Sequence, residues 1–173
     1  LEKYLVKGSN TIKVEFDSSG TTIPYSFDLG WKILKPQSNP SCKVQIVTNI
    51  EKGRINESDV VRLSTVIINK TSEALPMTVA LVGIPGGLTP QAWQLKKMQE
   101  ERVFDYYELQ QNYLVFYFTG MSANEIKNID IDLKADVPGV YTAPAASAYL
   151  YYCNENRYWT DGVRVMIDAL RMP

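Results

Sequence analysis

The chain contains no histidine. That absence removes the commonest general base, the commonest metal ligand and the usual charge switch near neutral pH. Its two cysteines, Cys42 and Cys153, cannot hold zinc without other ligands. They either pair as one disulfide or stay as separate thiols, a choice set by Cα separation and not by sequence. A net charge of −1 and a pI near 5.6 leave no basic stripe for nucleic acid. No polybasic segment adjoins an amphipathic helix that would hold anionic lipid. No apolar run approaches the roughly 18 to 20 residues that span a bilayer. The opening Leu1-Glu2-Lys3-Tyr4 has no initiator Met and no signal-like pattern, and reads as an entry into a longer protein. The expectation is therefore no catalytic residue, no metal, no cofactor, no nucleic-acid partner and no direct membrane insertion.

What is present is alternation. The 173 residues, 45% hydrophobic, can bury one real core. The chain is organised around residues 75–118. Residues 77–84 are β-rich, and Pro85-Gly86-Gly87 stops the strand with one restricted and two permissive residues. Thr89 as N-cap and Pro90 at the first helical position predict a helix near 89–102. Leu88, Ala92, Leu95 and Met98 recur along it at helical spacing, and Arg102 and Val103 end it. Residues 113–118 are apolar enough for a buried strand. Further strands are expected over 11–16, 24–31, 44–50, 60–69, 106–109, 125–135, 147–153 and 163–167. Turn signals separate them, Pro138-Gly139 among the clearest. This is the pattern of an all-β antiparallel sandwich with one inserted helix. Residues 35–41, polar with two prolines, form the best linker.

Several groups have two readings. Asn128, Asp130 and Asp132 supply hard oxygen ligands in a row, as calcium needs. They also alternate with Ile129, Ile131, Leu133 and Ala135, as the solvated face of a strand does, and so regular an alternation favours that face. Tyr149, Tyr151 and Tyr152, with Tyr158 and Trp159, form either a stacking platform for sugar or ordinary sheet packing. Glu100 and Glu101 are helical neighbours that point apart and cannot work as an acid and base pair. Lys96 with Glu100, and Lys97 with Glu101, have the spacing of surface ion pairs. These four are the candidate interaction surface. Asn56-Glu57-Ser58 and Asn69-Lys70-Thr71 match the glycosylation sequon. A glycine with positive φ among Gly86, Gly87 and Gly139 would tolerate alanine badly.

Between residues 76 and 159 the sequence resembles the C-terminal, receptor-binding-type domain of the α2-macroglobulin family. The carrying residues are Pro76-Met77, Gly83-Ile84-Pro85-Gly86-Gly87-Leu88, Tyr107-Glu108, the strand 113–118, Asp136-Val137-Pro138-Gly139, and Pro144-Ala145 leading to Ala148-Tyr149-Leu150-Tyr151-Tyr152. Asp59-Val60-Val61-Arg62-Leu63 and Asn69 fit upstream. Gly8-Ser9-Asn10-Thr11-Ile12 and Ile23-Pro24-Tyr25-Ser26 resemble the last strands of the CUB-type module that precedes this domain in the family.

The resemblance implies residues 1–36 as terminal strands of a CUB-like module, 37–41 as linker and 42–173 as a macroglobulin-type, immunoglobulin-like sandwich. It implies a non-enzymatic part of a secreted or periplasmic protease trap, packed on the parent's thioester and CUB modules and exposed on activation, with trapped proteases as the parent's partners. The chain itself has no Cys-Gly-Glu-Gln and no candidate bait segment. In the family's animal inhibitors two helix lysines one turn apart meet a clearance receptor. Lys96 falls on the second position, Ala92 occupies the first, and Lys97 is turned about 100° round the helix. Half of that pair is missing, which points towards a bacterial member. The competing reading from a different class is a carbohydrate- or adhesin-type binding module.

Overall fold

A computed structural model describes residues 4–13, 15, 20, 24–26, 28, 30 and 32–170. The chain divides into two compact units at Lys32/Ile33. In the first, Asn10 closes the expected turn: its Oδ1 accepts from the Val6 N–H and its Nδ2 donates to the Val6 carbonyl, both at 2.8 Å. The strands expected over 11–16 and 24–31 rest on Val14, Phe16, Phe27 and Leu29, which lie outside the described residues.

In the second unit the described residues form β1 (Val44–Ile50), β2 (Arg54–Asn56), β3 (Val60–Asn69), β4 (Thr78–Gly83), β5 (Leu88–Pro90), α1 (Ala92–Glu100), β6 (Tyr106–Gln110) and β7 (Tyr113–Phe118). They continue as β8 (Ile126–Ala135), β9 (Gly139–Thr142), β10 (Ala146–Leu150), β11 (Tyr158–Thr160) and β12 (Arg164–Asp168). One sheet runs β1-β3-β8-β5 and a second β11-β10-β4-β7-β6, while β2-β12-β9 is a small third. Every pairing is antiparallel except β12 with β2. Side chains alternate by strand, so Leu63, Ile67, Ile129, Ile131 and Leu133 meet Ala80, Leu114, Phe116, Phe118 and Ala148 in a single core. The β-sandwich expected from the alternation is the fold.

The helix starts later than its sequence signals suggest. Leu88, Thr89 and Pro90 pair with Ala135, Lys134 and Leu133 as a short strand, so Thr89 is no N-cap. Gln91 takes that place in extended conformation, without a side-chain cap bond. A pre-formed edge on β8 outcompetes a weak local cap, and Pro90, lacking an N–H, ends the pairing. The end is a Schellman turn: Arg102 has φ 59°, its N–H reaches the Gln99 carbonyl, and the Val103 N–H reaches that of Met98.

The two turns singled out in the sequence come together on one ring. Tyr141 donates its hydroxyl to the Pro138 carbonyl and lies across Gly86, Gly87 and Gly139. Gly87 has no positive φ; its constraint is space. A Cβ there would stand 2.3 Å from the Tyr141 ring and 2.7 Å from the Val137 carbonyl oxygen, whereas at Gly86 the ring is an ordinary 3.6 Å away. Gly139 alone of the three has positive φ, at 151°. Pro85 is buried beneath this junction, and the Asp136 N–H donates to the Gly87 carbonyl at 3.0 Å.

Three other sequence features resolve. The linker candidate is fastened along β11: Asn39 N–H donates to the Arg157 carbonyl, Trp159 N–H to Ser38 Oγ, and Lys35 pairs with Asp161. Cys42 is a buried free thiol and Cys153 a half-buried one. Asn69 of the second sequon is 1% exposed, donates to the Glu73 and Ser122 carbonyls and accepts from Thr71. It is a structural pin, closed to modification.

Gly87→Ala should cost about 1–3 kcal/mol through overpacking against Tyr141, with Gly86→Ala within about 0.5 kcal/mol, in urea unfolding followed by tryptophan fluorescence. Thr65 is fully buried with its hydroxyl unpartnered. Thr65→Val should stabilise the domain by about 1 kcal/mol in the same measurement, since it removes an unsatisfied group at nearly equal shape.

Candidate interaction surface

The helix face is built from the edge of β8. Beyond Pro90 that edge has no strand partner among the described residues, and Gln94 fills the place: Asp132 N–H donates to Gln94 Oε1 at 2.8 Å, and Gln94 Nε2 reaches Asp132 Oδ2 at 3.4 Å and the Asp130 carbonyl at 3.5 Å. Leu95, 2% exposed, and half-buried Met98 anchor the inner side in the core. Lys96, Lys97, Glu100 and Glu101 are all exposed, as the sequence predicts. Lys97 and Glu101 pair at 3.8 Å; Lys96 and Glu100 form no ion pair among the described residues. A groove of about 390 Å³ lies between helix and strand, lined by Trp93, Lys97, Met98, Glu101, Asn128 and Asp130. Asp132 is engaged by the Arg62 guanidinium, Nε to Oδ1 at 2.9 Å, which raises the Arg62 pKa above its ordinary value by that hydrogen bond and the attached charge.

A second surface was not legible from the chain. Register aligns Tyr149, Val79, Tyr117 and Tyr106 across β10, β4, β7 and β6 on the outward face of the second sheet. The next row is Trp159, Ser147, Leu81, Val115 and Glu108. Tyr106 is 55% exposed, and its ring meets that of Tyr117 at 5.8 Å. The five aromatics named from sequence do not make one flat patch. Tyr149 and Trp159 point outward and Tyr158 turns to the core, because neighbours on a strand alternate. Tyr151 and Tyr152 follow β10 in a turn, edge to face at 5.1 Å. Burial pushes the Tyr117 phenol above its ordinary value, and the nearby Glu108 carboxylate adds to the shift; burial alone does the same at Tyr113.

Several of the surface carboxylates described are spent in pairs. Asp168 takes Arg54, Asp161 takes Lys35 and Glu125 takes Lys127. Asp136 takes Lys134 and sits below the usual carboxylate range, held there by Thr89 first and Lys134 second. What both surfaces offer is directed contact area: rings, amides and ion pairs on rigid strands.

Comparison with known proteins places this geometry. The A-macroglobulin receptor binding domain family matches residues 73–161. The fold is similar to trypsin-activated alpha-2-macroglobulin from Escherichia coli, with a TM-score of 0.61 at 13% identity over 76% of this chain and 11% of that one. Native E. coli alpha-2-macroglobulin from domain MG7 to the C-terminus gives 0.60 at 15% identity, over 77% of this chain and 25% of that one. Salmonella alpha-2-macroglobulin reacted with methylamine gives 0.59 at 14% identity, over 77% and 10%. The chain thus spans a quarter or less of these proteins. No curated protein matches the sequence.

The raised phenols set a pH expectation. Their folded values lie above the ordinary one near 10, so the stability they carry is complete below that value and is lost as pH rises through the folded values. Spectrophotometric titration should show tyrosines ionising late in the native chain, and Tyr117→Phe should remove one of them.

Proposed function

The chain belongs to the A-macroglobulin receptor binding domain family, and on that premise we propose that it is a non-catalytic domain of an alpha-2-macroglobulin-like protease trap. Residues 1–36 are the terminal strands of a CUB-like module, 37–41 the connection and 42–173 the receptor-binding-type sandwich. The domain packs on the parent's thioester and CUB modules and becomes exposed when a protease cuts the parent. The parent works outside the cytoplasm, secreted or in a bacterial periplasm, and its partners are the proteases it captures.

The observation that carries this reading is the family match over residues 73–161. The outward face of the second sheet supports it: Val79 and Val115 lie there beneath the rings of Tyr106, Tyr117 and Tyr149, an apolar face that a neighbouring module can cover. The protease-activated state of the E. coli relative supports the activation step. Clearance-receptor binding through the helix is not part of the proposal, since Ala92 stands where the first lysine of the pair would be. The exposed helix face of Lys96, Lys97, Glu100 and Glu101 instead contacts neighbouring modules. The sugar-binding reading has less support, since Tyr158 turns inward and exposed Tyr151 and Tyr152 meet edge to face and not as one flat patch.

The full-length protein containing this chain should compact on trypsin cleavage, migrating faster on a native gel. Hydrogen exchange at β6 and β10 should rise in the cut form. Cleavage that leaves both mobility and exchange unchanged would refute the trap reading.

A further inference from the structure

Arg157 is held by two rings and a backbone carbonyl, and among the described residues it has no acid partner. Its ring partners are Tyr149, with the guanidinium carbon 4.1 Å from the ring centroid, and Trp159 at 5.9 Å. Its Nε donates to the Asn154 carbonyl at 2.8 Å, and its own carbonyl accepts from the Asn39 N–H at 2.8 Å. Asn39 Nδ2 also donates to the side chain of neighbouring Asn156 at 2.6 Å. The guanidinium is therefore oriented by two rings and a backbone carbonyl, on a segment clamped by residues 38 and 39. Arg54 and Arg62 each close a two-pronged fork on Asp168 and Asp132. Among the described residues Arg157 has no carboxylate, and its two terminal nitrogens make no hydrogen bond.

We propose that Arg157 is the centre of a docking site for an acidic segment of another polypeptide, whose carboxylate takes the free fork while its flanking side chains lie against Tyr149 and Trp159. Charge complementarity chooses the occupant. A planar guanidinium offers parallel donors that fit a carboxylate, and its stacking on Tyr149 lowers the ordering cost of binding. One cation, with Glu155 close in the chain and Glu108 on the same sheet face, suits a single carboxylate better than a phosphate dianion. The net charge of −1 gives no support to a polyanion. Arg, Tyr and Trp are also the residues that concentrate binding energy in protein interfaces. The binding test reads Arg157 in this chain directly, so its outcome does not depend on whether the parent traps proteases.

The test uses the isotope-labelled 173-residue chain and two probes, acetyl-Ala-Glu-Leu-Glu-Ala-amide and its glutamine counterpart. The glutamate peptide should saturably shift the Arg157 Nε–H and Trp159 indole N–H resonances with a dissociation constant of about 1 mM, weakening as salt rises. Arg157→Gln should abolish the shift, with an unchanged amide spectrum elsewhere showing that the fold survives. Tyr149→Leu keeps the charge, removes the stacking ring and should weaken binding about threefold to tenfold. Equal shifts from both peptides, no shift by about 10 mM peptide, or undiminished binding by Arg157→Gln would overturn the proposal.

Discussion

The nine-pair ladder between β3 and β8, from Val60↔Lys134 to Ile68↔Ile126, is the constraint on which the rest of the domain depends. Its inward residues, Leu63, Ile67, Ile129, Ile131 and Leu133, are completely buried. A slip of one residue would turn all of them to water and is strongly forbidden. With register fixed, Arg62 lies opposite Asp132 and the pair closes across the outer face. The far edge of β8 is then fixed too, and it receives β5 at Leu133–Ala135 and the Gln94 amide at Asp132. The helix is thus keyed to the sheet by a side chain that stands in for the next residue of a strand. Its exposed residues inherit their positions from the ladder.

The Tyr141 junction plays the matching part at the strand-to-helix corner. Two glycine-containing turns that are distant in the chain are brought against one ring. At Gly87 the requirement is contact and at Gly139 it is backbone conformation. A ring packed directly on main chain leaves no side chain to rearrange, so the corner is stiff. The segment along β11 does the same for the outward aromatic face, since Ser38 and Asn39 hold the backbone that carries Arg157 and Trp159. Both surfaces sit on elements held from two sides, which lowers the ordering cost of any contact they make.

Much of this was legible in the sequence, for a physical reason. Period-two alternation is imposed by burial, so long, half-buried strands announce themselves: β7 spans Tyr113–Phe118 as expected, and β8 carries the predicted inward and outward sets. The three- and four-residue strands β2, β5, β9 and β11 did not, because they exist only through partners distant in sequence. Thr89-Pro90 carries a true helix-start signal that tertiary pairing overrides. Of the candidate residues, the helix quartet is exposed as expected, and the proline and glycine turns were found without Tyr141, the ring that joins them. The Tyr106, Tyr117 and Tyr149 row was invisible because the three align by register alone. Asn69 shows the opposite failure: a local triplet fits a modification pattern while the fold spends its amide on three backbone groups.

The composition of the second sheet bears on why such a domain is built this way. In an antiparallel sandwich one face of each sheet normally meets water, and its strands alternate accordingly. Here β4 is buried at five of its six positions, and β7 alternates core Leu114, Phe116 and Phe118 with Val115 and half-buried tyrosines. Ser147 lies in the same outward row, fully buried with its hydroxyl unpartnered. Leaving such a hydroxyl dry costs stability, as does leaving the tyrosine and tryptophan rings above Val79 and Val115 partly open to water. Tyrosine and tryptophan suit the duty because each combines a large ring with a polar tip that tolerates both wet and covered states. Under the proposed exposure on activation a face of that kind serves both states, whereas a purely aliphatic one would commit the domain to being covered.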